Sequence, residues 1–168
     1  MQGRLAQNDV SNRVNVEDSD QVGAGVMRLF AVRYPGADVG VVASAFADAK
    51  RLFSGAYPGY LACDTLYHDL RHTLDVTLAM ARLIDGHDRT HREADRLGPR
   101  RAVLGVIIAL LHDSGYMKLA SEGHIPNGAV FTKVHVSRSG EFLLRYLPTI
   151  GFAAEADVAA RLVHFTGY

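Results

Sequence analysis

The chain contains a single cysteine, Cys63, which excludes an internal disulfide and a cysteine-built zinc finger. A reducing cytoplasm is the compartment this predicts. There is no excess of either charge, because eighteen Lys and Arg residues offset eighteen Asp and Glu residues. A balanced chain lacks the global field that attracts nucleic-acid polymers or an anionic membrane, and leaves only a local basic patch able to hold one phosphate. Long apolar runs are missing too. The longest, residues 102–111, is interrupted by Gly105 and is too short to span a bilayer, so it reads as a buried helix. Residues 1–10 lack a charged start followed by an apolar stretch, so no signal peptide is expected. No alternating strand pattern and no internal repeat is present.

What remains is a chain of 168 residues, 48% hydrophobic and 21% charged, with eight histidines as its one compositional oddity. That length suits one domain with enough apolar content for a core. Residues 1–21 are polar and read as a loosely docked lead-in without the apolar content to fold by itself. Residues 22–168 read as a helical domain. A short helix is expected over 23–34, closed by Tyr34-Pro35-Gly36. A second, capped by Asp38, carries Val42, Phe46, Ala49 and Phe53 at helical spacing and stops at Gly55. A long helix is expected from 63 to 84, with Leu66, Leu70, Leu74, Leu78 and Ala81 as its apolar stripe and Gly86 ending it. Residues 85–101 read as exposed loop or irregular helix, 102–112 as the central helix, 115–128 as a connecting loop, 132–146 as a helix capped by Thr132, and 153–163 as the last helix. The fold class is therefore all-α, a helical bundle.

The chemistry lies in four histidine-bearing segments. In Tyr67-His68-Asp69-Leu70-Arg71-His72-Thr73-Leu74-Asp75, His68 and His72 are spaced to share a helix face, with Asp75 near it. Two imidazoles and a carboxylate opposite a leucine stripe suit a metal, although an exposed polar face explains them equally well. His112-Asp113 closes the most apolar helix. A buried, unpaired carboxylate there is costly, and a cation would resolve the cost. His135 lies in the first turn of a later helix and His164 ends the last. Either alone is more often a structural histidine than a ligand. Together, four helices each deliver a histidine to an inward-looking position, which is how bundles build metal sites.

The order His, His-Asp, His, His on successive helices resembles the HD-domain superfamily of metal-dependent phosphohydrolases, over roughly residues 60–168. The stretch from Tyr67 to Val76 is also similar to the opening motif of cyclic-nucleotide phosphodiesterase catalytic domains, which usually have Asn where this chain has Asp69. The resemblance implies an HD-domain-like bundle with the metal site between helices. It implies that His72, His112 and Asp113 ligate one metal ion, that His135 and His164 serve a second with Asp113 bridging, and that His68 is the general acid protonating the leaving oxygen. The implied cofactor is one or two divalent transition metal ions, drawn from Fe, Mn, Co, Ni or Zn. The implied substrate is a small phosphomonoester or phosphodiester, for example a nucleotide, hydrolysed by metal-activated water. Arg71 and Lys118 are candidate phosphate contacts, with solvated surface charge the plainer reading of both.

Two departures bear on activity. Tyr116 and Met117 stand where many members of the superfamily place a lysine, and Lys118 comes late. The superfamily also has a further aspartate ligand well downstream of the last histidine, so the domain is expected to lack its C-terminal part. That keeps open an alternative, a catalytically incomplete HD-fold binding or regulatory module. Self-association through exposed apolar surface is a further expectation.

Overall fold

A computed structural model describes residues 7–167. The molecule is all-helical, as its patterning requires, and the described residues form no strand beyond two isolated bridges. The described residues form six α-helices: α1 (Ser19–Arg33), α2 (Gly40–Ser54), α3 (Leu70–Thr90), α4 (Gly98–Leu111), α5 (His135–Tyr146) and α6 (Ala156–Leu162). Short 3-10 turns join the later ones.

α4 is the axis of the bundle. From Ala102 to Leu111 only Gly105 escapes full burial, because α1, α2, α3, α5 and α6 pack around it directly or through one another. α3 covers one side with Leu74, Leu78, Ala81 and Ile84, and α2 another with Val42, Phe46, Ala49 and Leu52, all buried. Each of the Leu, Ile, Val and Phe side chains among them stabilises the fold by about 1.5–3 kcal/mol relative to exposure.

The start of α4 depends on a residue from another helix. Its entry has no side-chain cap of its own. The buried carboxylate of Asp88, on α3, instead accepts the backbone N–H groups of Leu97 (2.8 Å) and Gly98 (3.0 Å) and the Tyr34 hydroxyl (2.8 Å). Gly98 has φ +73°, a conformation that glycine adopts without steric cost. The patterning breaks at Gly86, but α3 runs on to Thr90, so of the two forms expected for residues 85–101 the first part is helix, and it carries a buried anchor.

The other end of α3 differs as well. Residues 63–69 precede the helix instead of forming it, and Leu66, placed in the apolar stripe by spacing, is fully exposed. Asp69 is the N-cap, its carboxylate accepting the His72 N–H at 2.8 Å. Capping by a short polar side chain competes with continuing the helix backward, and it wins here.

Of the polar lead-in, residues 1–6 lie outside the described residues. Residues 7–18 are tied to the body. Asp9 accepts N–H groups of Ser11, Arg13 and Val14 and pairs with Arg82 of α3 at 2.6 Å, and Val14 and Val16 reach the core.

Candidate metal centre

α3 begins, α4 ends and α5 begins around one buried carboxylate. Asp113 follows the His112 C-cap of α4 and is 1% exposed. His68 Nδ1 lies 2.8 Å, His112 Nε2 3.2 Å and His72 Nε2 3.5 Å from its Oδ2 atom. His135 Nε2 approaches the other oxygen, Oδ1, at 3.9 Å. His68, His72 and Asp113 each offer a ligand atom within 4.8 Å of the others, a group that could hold a metal ion.

Local backbone geometry sets these positions. Thr65 Oγ1 donates to the His68 carbonyl at 2.8 Å and holds the segment leading into α3. His72 follows in the first turn, placed by the Asp69 cap. His68 and His72 therefore meet because the chain turns into a helix between them, not because both lie on one helix face. The turn after Asp113 is fastened to α5. Gly115 N–H donates to Ser139 Oγ at 2.8 Å, and Arg138 Nε donates to the Gly115 carbonyl at 2.8 Å. A Cβ on Gly115 would lie 1.9 Å from the His135 carbonyl oxygen, so only glycine permits this approach.

Two of the imidazoles have settled tautomers. His112 Nδ1 lies 2.7 Å from the Ala109 carbonyl, and His135 Nδ1 lies 2.7 Å from the Thr132 carbonyl. A carbonyl only accepts, so each Nδ1 carries a proton. In the neutral ring the Nε2 lone pair then faces the Asp113 carboxylate, an arrangement stable only with a proton or a cation between them. A backbone carbonyl behind a histidine whose other nitrogen faces a carboxylate is the usual support of a metal ligand. The donor set of imidazole nitrogens and one carboxylate suits a divalent transition ion.

Electrostatics follow the same geometry. Burial raises the Asp113 carboxyl, but hydrogen bonds and charge from His112 and His68 outweigh it and hold its pKa below the ordinary value. Burial lowers His112, yet the Asp113 carboxylate and the Ala109 carbonyl raise its pKa overall. For His72, burial and the neighbouring His112 and His68 dominate, and its pKa is lowered.

The group opens into a cleft of about 620 Å³ lined also by Tyr67, Val76, Tyr116, Lys133 and Val136. Tyr116 is the residue the patterning did not single out as functional. Its buried ring stacks against both His68 (centroids 4.3 Å, 16°) and His135 (4.5 Å, 19°). An aromatic residue directly after His-Asp-Ser-Gly was the available signal. Lys133, which forms no ion pair among the described residues, is the lysine on the cleft wall.

Several expected residues lie elsewhere. His164 is exposed in the final 3-10 turn and does not line the cleft. Val163 takes the buried position beside it, because the larger apolar gain decides which neighbour turns inward. Asp75 is exposed. Lys118 is buried, pairs with Asp64 at 2.6 Å and donates to the Ile125 carbonyl, so it anchors a loop. Arg71 pairs with Glu17 at 3.2 Å on the surface. Among the described residues, no helix is long and apolar enough to cross a membrane. Compared with protein-family models, curated proteins and solved structures, the chain matches none of them.

Proposed function

We propose that this chain is a metal-dependent phosphohydrolase of HD type acting on a small phosphoester, with its centre at Asp113. One observation carries the reading: His112 and His135, each with Nδ1 committed to a carbonyl, turn Nε2 toward the two oxygens of one buried carboxylate. His72, His112 and Asp113 would hold one ion. His135, on the far oxygen, would serve a second, with Asp113 between them. Metal held there supplies an acidified water and offsets charge on the phosphoryl oxygens.

The remaining roles belong to the chain's own side chains. His68 fixes Nδ1 against Asp113 and its ring against Tyr116. Its Nε2 is left to carry a proton to the leaving oxygen, the task of a general acid. Lys133 brings one positive charge to a phosphoryl group in the cleft. Tyr67, Val76 and Val136 offer apolar wall to the rest of the substrate.

A second reading, a binding module that holds metal without turnover, draws support from His164. Its exposure leaves His135 and Asp113 as the side chains facing a second ion. Elemental analysis and a phosphoester screen, on untagged wild type and Asp113→Ala, separate the readings. Metal bound at the Asp113 centre and hydrolysis, both lost in the variant, support the hydrolase. Bound metal without hydrolysis of any ester supports the binding module. Absence of metal after supplementation with Mn, Fe, Ni and Zn overturns both.

A further inference from the structure

The last turn of α3 carries a second pair of histidines that takes no part in the cleft. His87 and His91 are one turn apart, and their rings stack with centroids 3.9 Å apart and planes 14° apart. Both Nδ1 atoms are occupied. That of His87 lies 2.9 Å from the Asp88 carboxylate, and that of His91 lies 2.8 Å from the His87 carbonyl. Acceptors at both Nδ1 atoms place the protons there and leave both Nε2 lone pairs free, with no hydrogen-bond partner among the described residues.

Three surroundings favour a cation. The Asp88 carboxylate is wholly buried and held by N–H and O–H donors from two other segments. A carboxylate behind an imidazole orients it and increases its basicity as a ligand. α3 ends at Thr90, so the pair stands at the negative end of the helix. Of the nearby arginines, Arg92 is paired with Asp95, and Arg96 donates to the His91 carbonyl. The distance from His72 along the helix is ~22 Å, so the pair is out of reach of the cleft.

We propose that His87 and His91 form a bidentate site for a late first-row divalent cation, separate from the Asp113 centre. Imidazoles one helical turn apart present two nitrogens to one ion. Water would fill the remaining positions, and Cu(II) would bind more tightly than Ni(II) or Zn(II). In the stack the two Nε2 lone pairs run side by side, so the exposed His91 ring must turn out of the stack for both to meet one ion.

The test is calorimetric titration of the untagged chain and of His91→Ala with Ni(II) and Cu(II), repeated in an Asp113→Ala background. His91→Ala is expected to lose one equivalent, or to bind it roughly tenfold or more weakly, with unchanged circular dichroism. The Asp113→Ala chain is expected to keep that equivalent, and the double variant to lack it. Unchanged stoichiometry and affinity in His91→Ala overturns the proposal, as does a wild type that binds neither ion at this site. Should Asp113→Ala not fold, Cu(II) paramagnetic resonance on wild type and His91→Ala decides. Two coupled nitrogens reduced to one or none support the site, and identical spectra overturn it. Failure of the Asp113 centre to hold metal leaves this readout untouched.

Discussion

At the residue scale, Asp113 is the group on which the rest of the cleft depends. Its oxygens face four imidazoles, so Asp113→Ala removes the anion that draws them together. The metal held at this centre is expected to be lost in elemental analysis, and content is expected to fall to background when His91→Ala is combined with it. His164→Ala, by contrast, is expected to keep full metal content, since His164 points to solvent. The titrating groups also set a pH dependence for the metal-free chain. The folded pKa of His72 lies below its ordinary 6.5, so stability falls as pH drops below about 6.5, where the unfolded chain gains the proton first. The folded pKa of His112 lies above 6.5, so its contribution is complete below about 6.5 and is lost as pH rises through the folded value. The two limbs predict a melting temperature that peaks near pH 6.5 in chelator. Saturating metal should flatten the alkaline limb, because the ion replaces the proton on His112.

At the element scale, the centre exists because three helix ends are fixed. Asp69 caps α3 and positions His72. Asp69→Ala is expected to cost about 1 kcal/mol and to weaken metal binding, whereas Asp69→Asn, an equally good cap, should be near neutral. Urea unfolding and metal titration of the two variants check this. Gly115 lets the turn after α4 meet the start of α5. With His135 O at 1.9 Å and Arg138 Cβ at 2.8 Å from an added Cβ, Gly115→Ala must push α5 away. A loss of roughly 3 kcal/mol or more is expected, and with it the approach of His135 to Asp113. The same scale shows what patterning missed. Leucine spacing carried the expected long helix back to residue 63, although Asp69 was a visible cap within it. Reading that cap against the stripe would have placed His68 outside the helix.

At the scale of the whole molecule, two buried carboxylates join distant segments. Asp88 ties α3 to the start of α4 and to Tyr34, and Asp9 ties the lead-in to Arg82. Burial raises both, but their donors dominate and hold both pKa values far below 3.8. Their contribution is therefore present above about 3.8 and is lost as pH falls below it. Asp88→Asn keeps the shape and removes the charge, so it is expected to lower the melting temperature at pH 7 and to shrink the acid-induced loss. Thermal melts from pH 7 down to pH 2 measure both.

The sequence by itself determined the helical class and the central place of α4, and it pointed to His72, His112, Asp113 and His135, which the fold gathers in one place. These follow from apolar periodicity and from polar groups set at the ends of apolar helices, both local properties of the chain. Tertiary structure alone decided that His68 reaches Asp113 from outside a helix and that Tyr116 stacks against two histidines. It also decided that His164 faces solvent, that Lys118 anchors a loop and that Asp88 is buried. Each depends on which neighbour covers a residue, and that is fixed only when segments far apart in the chain compete for the same buried space.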